Sequence, residues 1–248
     1  MILNRLFALS LSLLAITPVF ADPAFSKTQQ KAIQSIIHDY LIQNPQVLVE
    51  ASQVLQAQQA QLQQQNATAA ILANKGSLFN DPNTPAVGPN HATTVVEFFD
   101  YQCGHCRTVS AVVQQLMARD KNVRFIFKEL PIFGNASEFA AKVALAAHKQ
   151  NKYLALHNKL FSADAALSQE MILNFAADVG LDKTALMTEI QSSNYSAQLQ
   201  QNFALAGKIG ITGTPAFVIA NKAQTKFQFI PGEVGLQALQ DAINTVQK

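Results

Sequence analysis

The chain has 248 residues, and its 18 Lys and Arg against 16 Asp and Glu leave a formal net charge of only +2. No Lys/Arg cluster accompanies that balance, which excludes a nucleic-acid-binding surface of the usual kind. The length suits one domain plus an appendage and is enough to bury a real core.

Residues 1–21 read as a secretory signal. Arg5 supplies the positive n-region, residues 6–16 form an apolar run, and Val19-Phe20-Ala21 places small residues at −3 and −1, so cleavage is expected after Ala21. The run is shorter than the ~20 apolar residues a membrane span needs. No cysteine follows it, as a lipoprotein would require. Export to the periplasm sets the redox context, because an oxidising compartment lets a thiol pair form and keep a disulfide.

From 22 to 76 the chain is rich in glutamine and carries no cysteine. Ser26 and Gln29 have the spacing of a capping box, and Ile33, Ile36, Ile37, Tyr40 and Leu41 mark one apolar helix face. Asn44-Pro45 fits an N-cap followed by proline at the first helical position of a second helix. There Leu48, Leu55 and Leu62 recur every seven residues, with Ala51 and Val54 between them. So narrow a stripe needs a partner surface. Residues 26–75 are therefore expected to form an oligomerisation arm, most simply for a homodimer, with a hairpin folded back on its own chain as the alternative.

Residues 77–91 carry Asn, Asp, Pro and Gly in quantity and read as a linker into a domain over 77–248. Residues 94–99 are apolar and β-rich, residues 104–119 have helical periodicity through Val109, Val112, Val113, Leu116 and Met117, and residues 123–128 alternate as a second strand. A strand–helix–strand unit with so short a crossover implies parallel pairing. Residues 135–204 then read as almost all helix, with segments at 139–150, 153–161, 168–179 and 183–191. Ser168 and Asp182 are expected N-caps and Gly180 a C-cap. Strands return at 216–220 and 225–230 through a hairpin at Asn221-Lys222, and a last helix is expected over 233–246. The fold class is α/β with an inserted helical block.

Both cysteines of the chain lie in Cys103-Gly104-His105-Cys106. Two cysteines three apart, with no others, point to a redox-active dithiol. A structural disulfide closing so short a loop is a poor staple. A zinc site needs four ligands, and His38, His91, His148 and His157 are scattered, reading as surface or packing residues. Cys103 falls where a strand ends and a helix begins, and unpaired N–H groups and the positive end of the helix dipole favour a thiolate there.

The run Phe98-Phe99-Asp100-Tyr101-Gln102-Cys103-Gly104-His105-Cys106 resembles the active-site segment of DsbA-type thiol:disulfide oxidoreductases, as does Thr212-Gly213-Thr214-Pro215-Ala216-Phe217-Val218. The helical insertion between the two motifs is similar to that family's too. The arm resembles the helical extensions of a subgroup that includes ScsC proteins. The resemblance implies a thioredoxin fold, with Cys103 as the exposed attacking cysteine, Cys106 as the buried resolving one, and His105 stabilising the Cys103 thiolate. It implies a cis Pro215 facing the dithiol, which would leave the Thr214 backbone open to pair with a substrate strand. It also implies a buried acid, Glu97, under the active site, with Lys128 on the adjacent strand as its partner in relaying a proton. Two positions depart from the family pattern. Gly104 replaces the usual proline, and Thr214 stands where the strongly oxidising members carry valine, leaving room for isomerase or mixed activity.

The resemblance implies exported client proteins as substrates, a DsbB-like oxidant or a DsbD-like reductant as redox partner, and no cofactor. The competing class is a periplasmic copper or zinc scavenger, or a chaperone using the helical arms. Paired thiolates do suit copper(I).

Overall fold

The computed structural model describes residues 25–192 and 194–248, so the expected signal segment lies outside the described residues. Helix α1 (Lys27–Gln43) opens on the expected capping box: the Gln29 amide donates to Ser26 Oγ (3.3 Å) and the Ser26 amide to Gln29 Oε1 (2.9 Å). Asn44 does not cap the following helix as expected. Its side-chain amide and its backbone N–H both donate to the Tyr40 carbonyl, at 2.9 and 2.8 Å, so it closes α1 instead. Helix α2 (Gln46–Ala73) then runs for 28 residues.

The chain forms two compact units that meet within α2, between Ala57 and Gln58. In the first unit no residue of α1 is buried, and Leu48 and Leu55 remain more than half exposed. The second unit begins well before the expected boundary at 76. The reason is that Ala67 and Ile71, four apart on one helical face, are fully buried against Leu78, Phe79, Val96, Phe98 and Val218. Leu78 and Phe79 belong to a short helix, α3 (Lys75–Phe79), inside the stretch where a linker was expected.

The sheet has five strands: β1 (Ala86–Val87), β2 (Thr93–Phe99), β3 (Val123–Glu129), β4 (Ala216–Ala220) and β5 (Phe227–Pro231), in the order β1-β3-β2-β4-β5. β2 and β3 pair in parallel, as their crossover through α4 (Gly104–Arg119) required, and the remaining pairs are antiparallel. Gln64 of α2 lies against edge strand β5, accepting from the Phe229 amide (3.1 Å) and donating to the Phe227 carbonyl (3.4 Å). This occupies backbone groups an open edge would leave unpaired.

Side chains alternate across the sheet, so each strand feeds two cores. Val95, Phe99, Phe125, Phe127, Phe217 and Ile219 pack with α4, the helical block and α10 (Leu236–Gln247). Val96, Phe98, Ile126, Val218 and Ala220 face the other way, toward α2, α3 and α9 (Tyr195–Ile209). The block between β3 and β4 comprises α5 (Asn135–Lys149), α6 (Tyr153–Phe161), α7 (Gln169–Asp178), α8 (Lys183–Ser192) and α9. Ser168 and Asp182 cap as expected, accepting from the Met171 and Ala185 amides at 3.1 and 2.6 Å. Helix α9 extends past the expected end at 204 and closes at Gly210, whose φ of 86° lies in the left-handed region. The architecture is the thioredoxin-like α/β fold with an inserted helical block, and the N-terminal helices precede it.

Candidate active site

Strand β2 delivers the dithiol to the N-terminus of α4. Cys103 is the N-cap of that helix, and its sulfur accepts the Cys106 amide at 3.4 Å. Both cysteines are free thiols. Cys106, in the first turn, is fully buried, and burial pushes its thiol well above the ordinary range. Cys103 is less open than the attacking cysteine the resemblance implied, at 3% exposed. The Thr214 loop lies against it, and the Cys103 thiol donates to the Thr214 carbonyl at 3.3 Å. The peptide bond between Thr214 and Pro215 is cis. Gly104 and His105, between the two cysteines, are exposed. The two sequence motifs, 111 residues apart, thus meet at one sulfur.

Glu97 and Lys128 do not meet. In the parallel ladder Glu97 stands opposite Phe127, and Lys128 opposite Phe98, so the two side chains leave opposite faces of the sheet. Lys128 Nζ donates instead to Thr84 Oγ1 (2.7 Å) and Asp81 Oδ2 (3.3 Å) in the segment before β1. Burial pushes its ammonium pKa down, with Asp81 opposing. Glu97, 2% exposed, keeps Oε1 without a hydrogen-bond partner among the described residues, and burial pushes its carboxyl pKa up to about 8. It shares a sheet face with Val95 and Phe99, the face that packs on α4.

Three further groups shape the site and were not singled out from sequence. Asp100, almost fully buried, accepts from the Gln102 amide (2.7 Å), Ser137 Oγ (2.7 Å) and the Phe133 amide (3.0 Å). Its carbonyl takes the Cys103 amide at 3.1 Å. One residue therefore ties the dithiol turn to α5. Behind it, Glu129 Oε1 accepts the hydroxyls of Tyr101 (2.9 Å) and Tyr153 (2.7 Å), and the Tyr101 oxygen lies 3.1 Å from His157 Nδ1. Burial holds His157 down to about 3, so its ring is neutral and its Nδ1–H donates to Tyr101. The third group is Glu233, whose Oε2 lies 2.7 Å from His105 Nδ1. The sequence placed Glu233 in the last helix, but α10 begins only at Leu236. The available signal was the hairpin: Ala216, after the cis proline, pairs with Pro231, which brings the residues after β5 beside the loop carrying Thr214 and Pro215.

Among the described residues, no group of three or more His, Cys, Asp or Glu side chains is placed to hold a metal ion.

A family model described as DSBA-like thioredoxin domain matches residues 94–244, and one described as Copper resistance protein ScsC N-terminal domain matches residues 29–61. The solved structure of a thioredoxin-like oxidoreductase from Silicibacter pomeroyi DSS-3 is 42% identical, covering 69% of this chain and 96% of that one, with a TM-score of 0.64. BcfH from Salmonella enterica Typhimurium is 32% identical, covering 89% of this chain and 97% of that one, with a TM-score of 0.74. Among curated proteins, the Na(+)/H(+) antiporter NhaA 3 of Salinispora tropica is 27% identical over 143 residues, which are 56% of this chain and 22% of the antiporter. The thiol:disulfide interchange protein DsbA of Bordetella parapertussis is 26% identical over 136 residues, 53% of this chain and 65% of that protein. The chain therefore spans about a fifth of the antiporter and just under two thirds of the DsbA.

Proposed function

The chain belongs to the DSBA-like thioredoxin family of thiol:disulfide oxidoreductases, and from that premise we propose that it exchanges disulfides with exported proteins through Cys103 and Cys106. The observation that carries this reading is the Cys103 sulfur capping α4 while lying 3.3 Å from the Thr214 carbonyl, beside the cis proline. A helix N-terminus supports the anionic sulfur that exchange requires. The buried Cys106 thiol is within reach to close the disulfide, and client sulfurs approach at Cys103.

In the oxidising direction a client thiolate attacks Cys103 Sγ of the enzyme disulfide. The S–S bond breaks, its electron pair goes to Cys106, and a mixed disulfide forms. A second client thiolate attacks the client sulfur and expels Cys103 as a thiolate, so the client gains a disulfide and the enzyme two electrons. In the isomerising direction the Cys103 thiolate attacks a mispaired client disulfide, and a client thiol resolves the adduct. Glu97 is the proton carrier for Cys106, acting without Lys128. A carboxyl pKa near 8 exchanges protons readily around neutral pH, and it sits on the sheet face that packs on α4. Thr214 and Pro215 hold the client backbone beside the sulfur.

The site works in the periplasm, after removal of the signal segment, with a DsbB-like oxidant or a DsbD-like reductant resetting it. The first unit is a homodimerisation arm. Ile36, Ile37, Tyr40, Leu48 and Leu55 are each more than half exposed, and a second copy of the same stripe is the surface that covers them. The functional test is insulin-disulfide reduction. The wild-type protein is expected to catalyse it and Cys103→Ser to abolish it, whereas full activity in that variant removes the reading.

A further inference from the structure

Two walls enclose the Cys103 sulfur: the first turn of α4, and the loop carrying Thr214 and Pro215. Away from the two sulfurs, a side-chain contact at the exposed rim also links them. His105 Nδ1, on α4, lies 2.7 Å from Glu233 Oε2, just after β5. Glu233 is anchored to the second wall through its neighbour. Gly232, at a φ of 87°, donates its amide to the Pro215 carbonyl at 2.8 Å. Both partners are partly exposed, with side chains 74% and 44% accessible.

A carboxylate only accepts hydrogen bonds, so the Nδ1 hydrogen of His105 is directed to Glu233. Among the described residues the Cys103 sulfur is engaged by the Thr214 carbonyl, the Cys106 amide and the Cys106 side chain, not the imidazole. The ring therefore sits beside the dithiol with its Nδ1 donor already engaged.

We propose that Glu233 is a positioning residue that holds the His105 imidazole away from Cys103 and so makes the dithiol a weaker oxidant. This rests on the thiol–disulfide reading of the site. A ring released from Glu233 is free to turn its N–H onto the Cys103 thiolate. That stabilises the reduced enzyme and thereby strengthens the oxidant. The expected effect runs in the same direction as the isomerase or mixed activity for which Gly104 and Thr214 leave room.

The readout is the equilibrium with glutathione. Two glutathione thiols and the enzyme disulfide give glutathione disulfide and the enzyme dithiol, with two electrons and two protons passing to the Cys103 and Cys106 sulfurs. Glu233→Ala is expected to shift this equilibrium roughly two- to five-fold toward the dithiol, the scale of a partly exposed pair. Glu233→Gln retains an oxygen acceptor for Nδ1 and is expected to fall between. In a His105→Ala background, Glu233→Ala is expected to do nothing. An unchanged equilibrium in Glu233→Ala overturns the proposal, as does an equal shift in the His105→Ala background. A wild-type protein that never equilibrates with glutathione overturns the thiol–disulfide reading as well. A wild type that equilibrates normally beside a silent Glu233→Ala overturns only the role of Glu233.

Discussion

Glu97 stands beside Phe127 in the parallel β2–β3 ladder, and its buried Oε1 has no hydrogen-bond partner among the described residues. Burial alone raises its carboxyl from 4.5 to about 8. The folded protein therefore holds a proton there that the unfolded chain has released, across the window from about pH 4.5 to 8. The stability linked to this group is fully present below the unfolded value and is lost as pH rises through the folded one. Wild type is expected to lose thermal stability relative to Glu97→Gln as pH rises from 5 to 8. Melting curves of the two proteins across that range check it, and parallel profiles contradict the assignment.

Lys128 lies on the opposite face, so its removal is expected to damage the fold and not the chemistry. Lys128→Ala leaves Thr84 and Asp81 without their buried donor. The expected cost is about 2–3 kcal/mol in urea denaturation, below that of a fully enclosed pair because Asp81 is partly exposed. The glutathione equilibrium of the folded variant is expected to match wild type. A changed equilibrium returns Lys128 to the redox site.

Asp100 positions the dithiol turn through four contacts, three of them to its carboxylate. Asp100→Ala strands two backbone amides and the Ser137 hydroxyl. It is expected to cost about 3 kcal/mol of stability and to lower kcat/KM for insulin reduction by roughly ten-fold, because a loosened turn misplaces Cys103. Asp100→Asn keeps an oxygen acceptor and is expected to recover part of both. Stability loss with unchanged kcat/KM contradicts the positioning role.

The arm is tested in the full chain. Leu48→Glu together with Leu55→Glu places two charges on the exposed stripe while leaving the helix able to form. Light scattering is expected to find an oligomer for wild type and a monomer for the double variant. A monomer in both removes the arm as an interface.

Periodicity carried the fold wherever one face of an element is apolar and the other is not. The α4 and α6 boundaries were legible for that reason, and the β4 limits because a short, wholly apolar run is bounded by turn residues. Small residues hid the rest. Ala67 fills the contact between α2 and the sheet, but in sequence it looks like any alanine of a glutamine-rich helix. Two-residue β1 is too short to show alternation. The dithiol was legible because its motif is local, and the cis proline only through the family resemblance of the second motif. Glu97 and Lys128 were each visible as acid and base in strands, but the pairing depended on register. In parallel strands a shift of one residue sends a side chain to the other face. Glu233 was hidden by its placement in a helix that starts three residues later.

Trapping the mixed disulfide separates the two sulfurs: Cys103 attacks and Cys106 resolves. Reduced Cys106→Ser is incubated with a disulfide-containing client protein, and the adducts are mapped by mass spectrometry beside those of Cys103→Ser. The expected result is a stable client adduct on Cys103 in Cys106→Ser and none in Cys103→Ser. An adduct on Cys106 in Cys103→Ser, or no adduct in either variant, contradicts it.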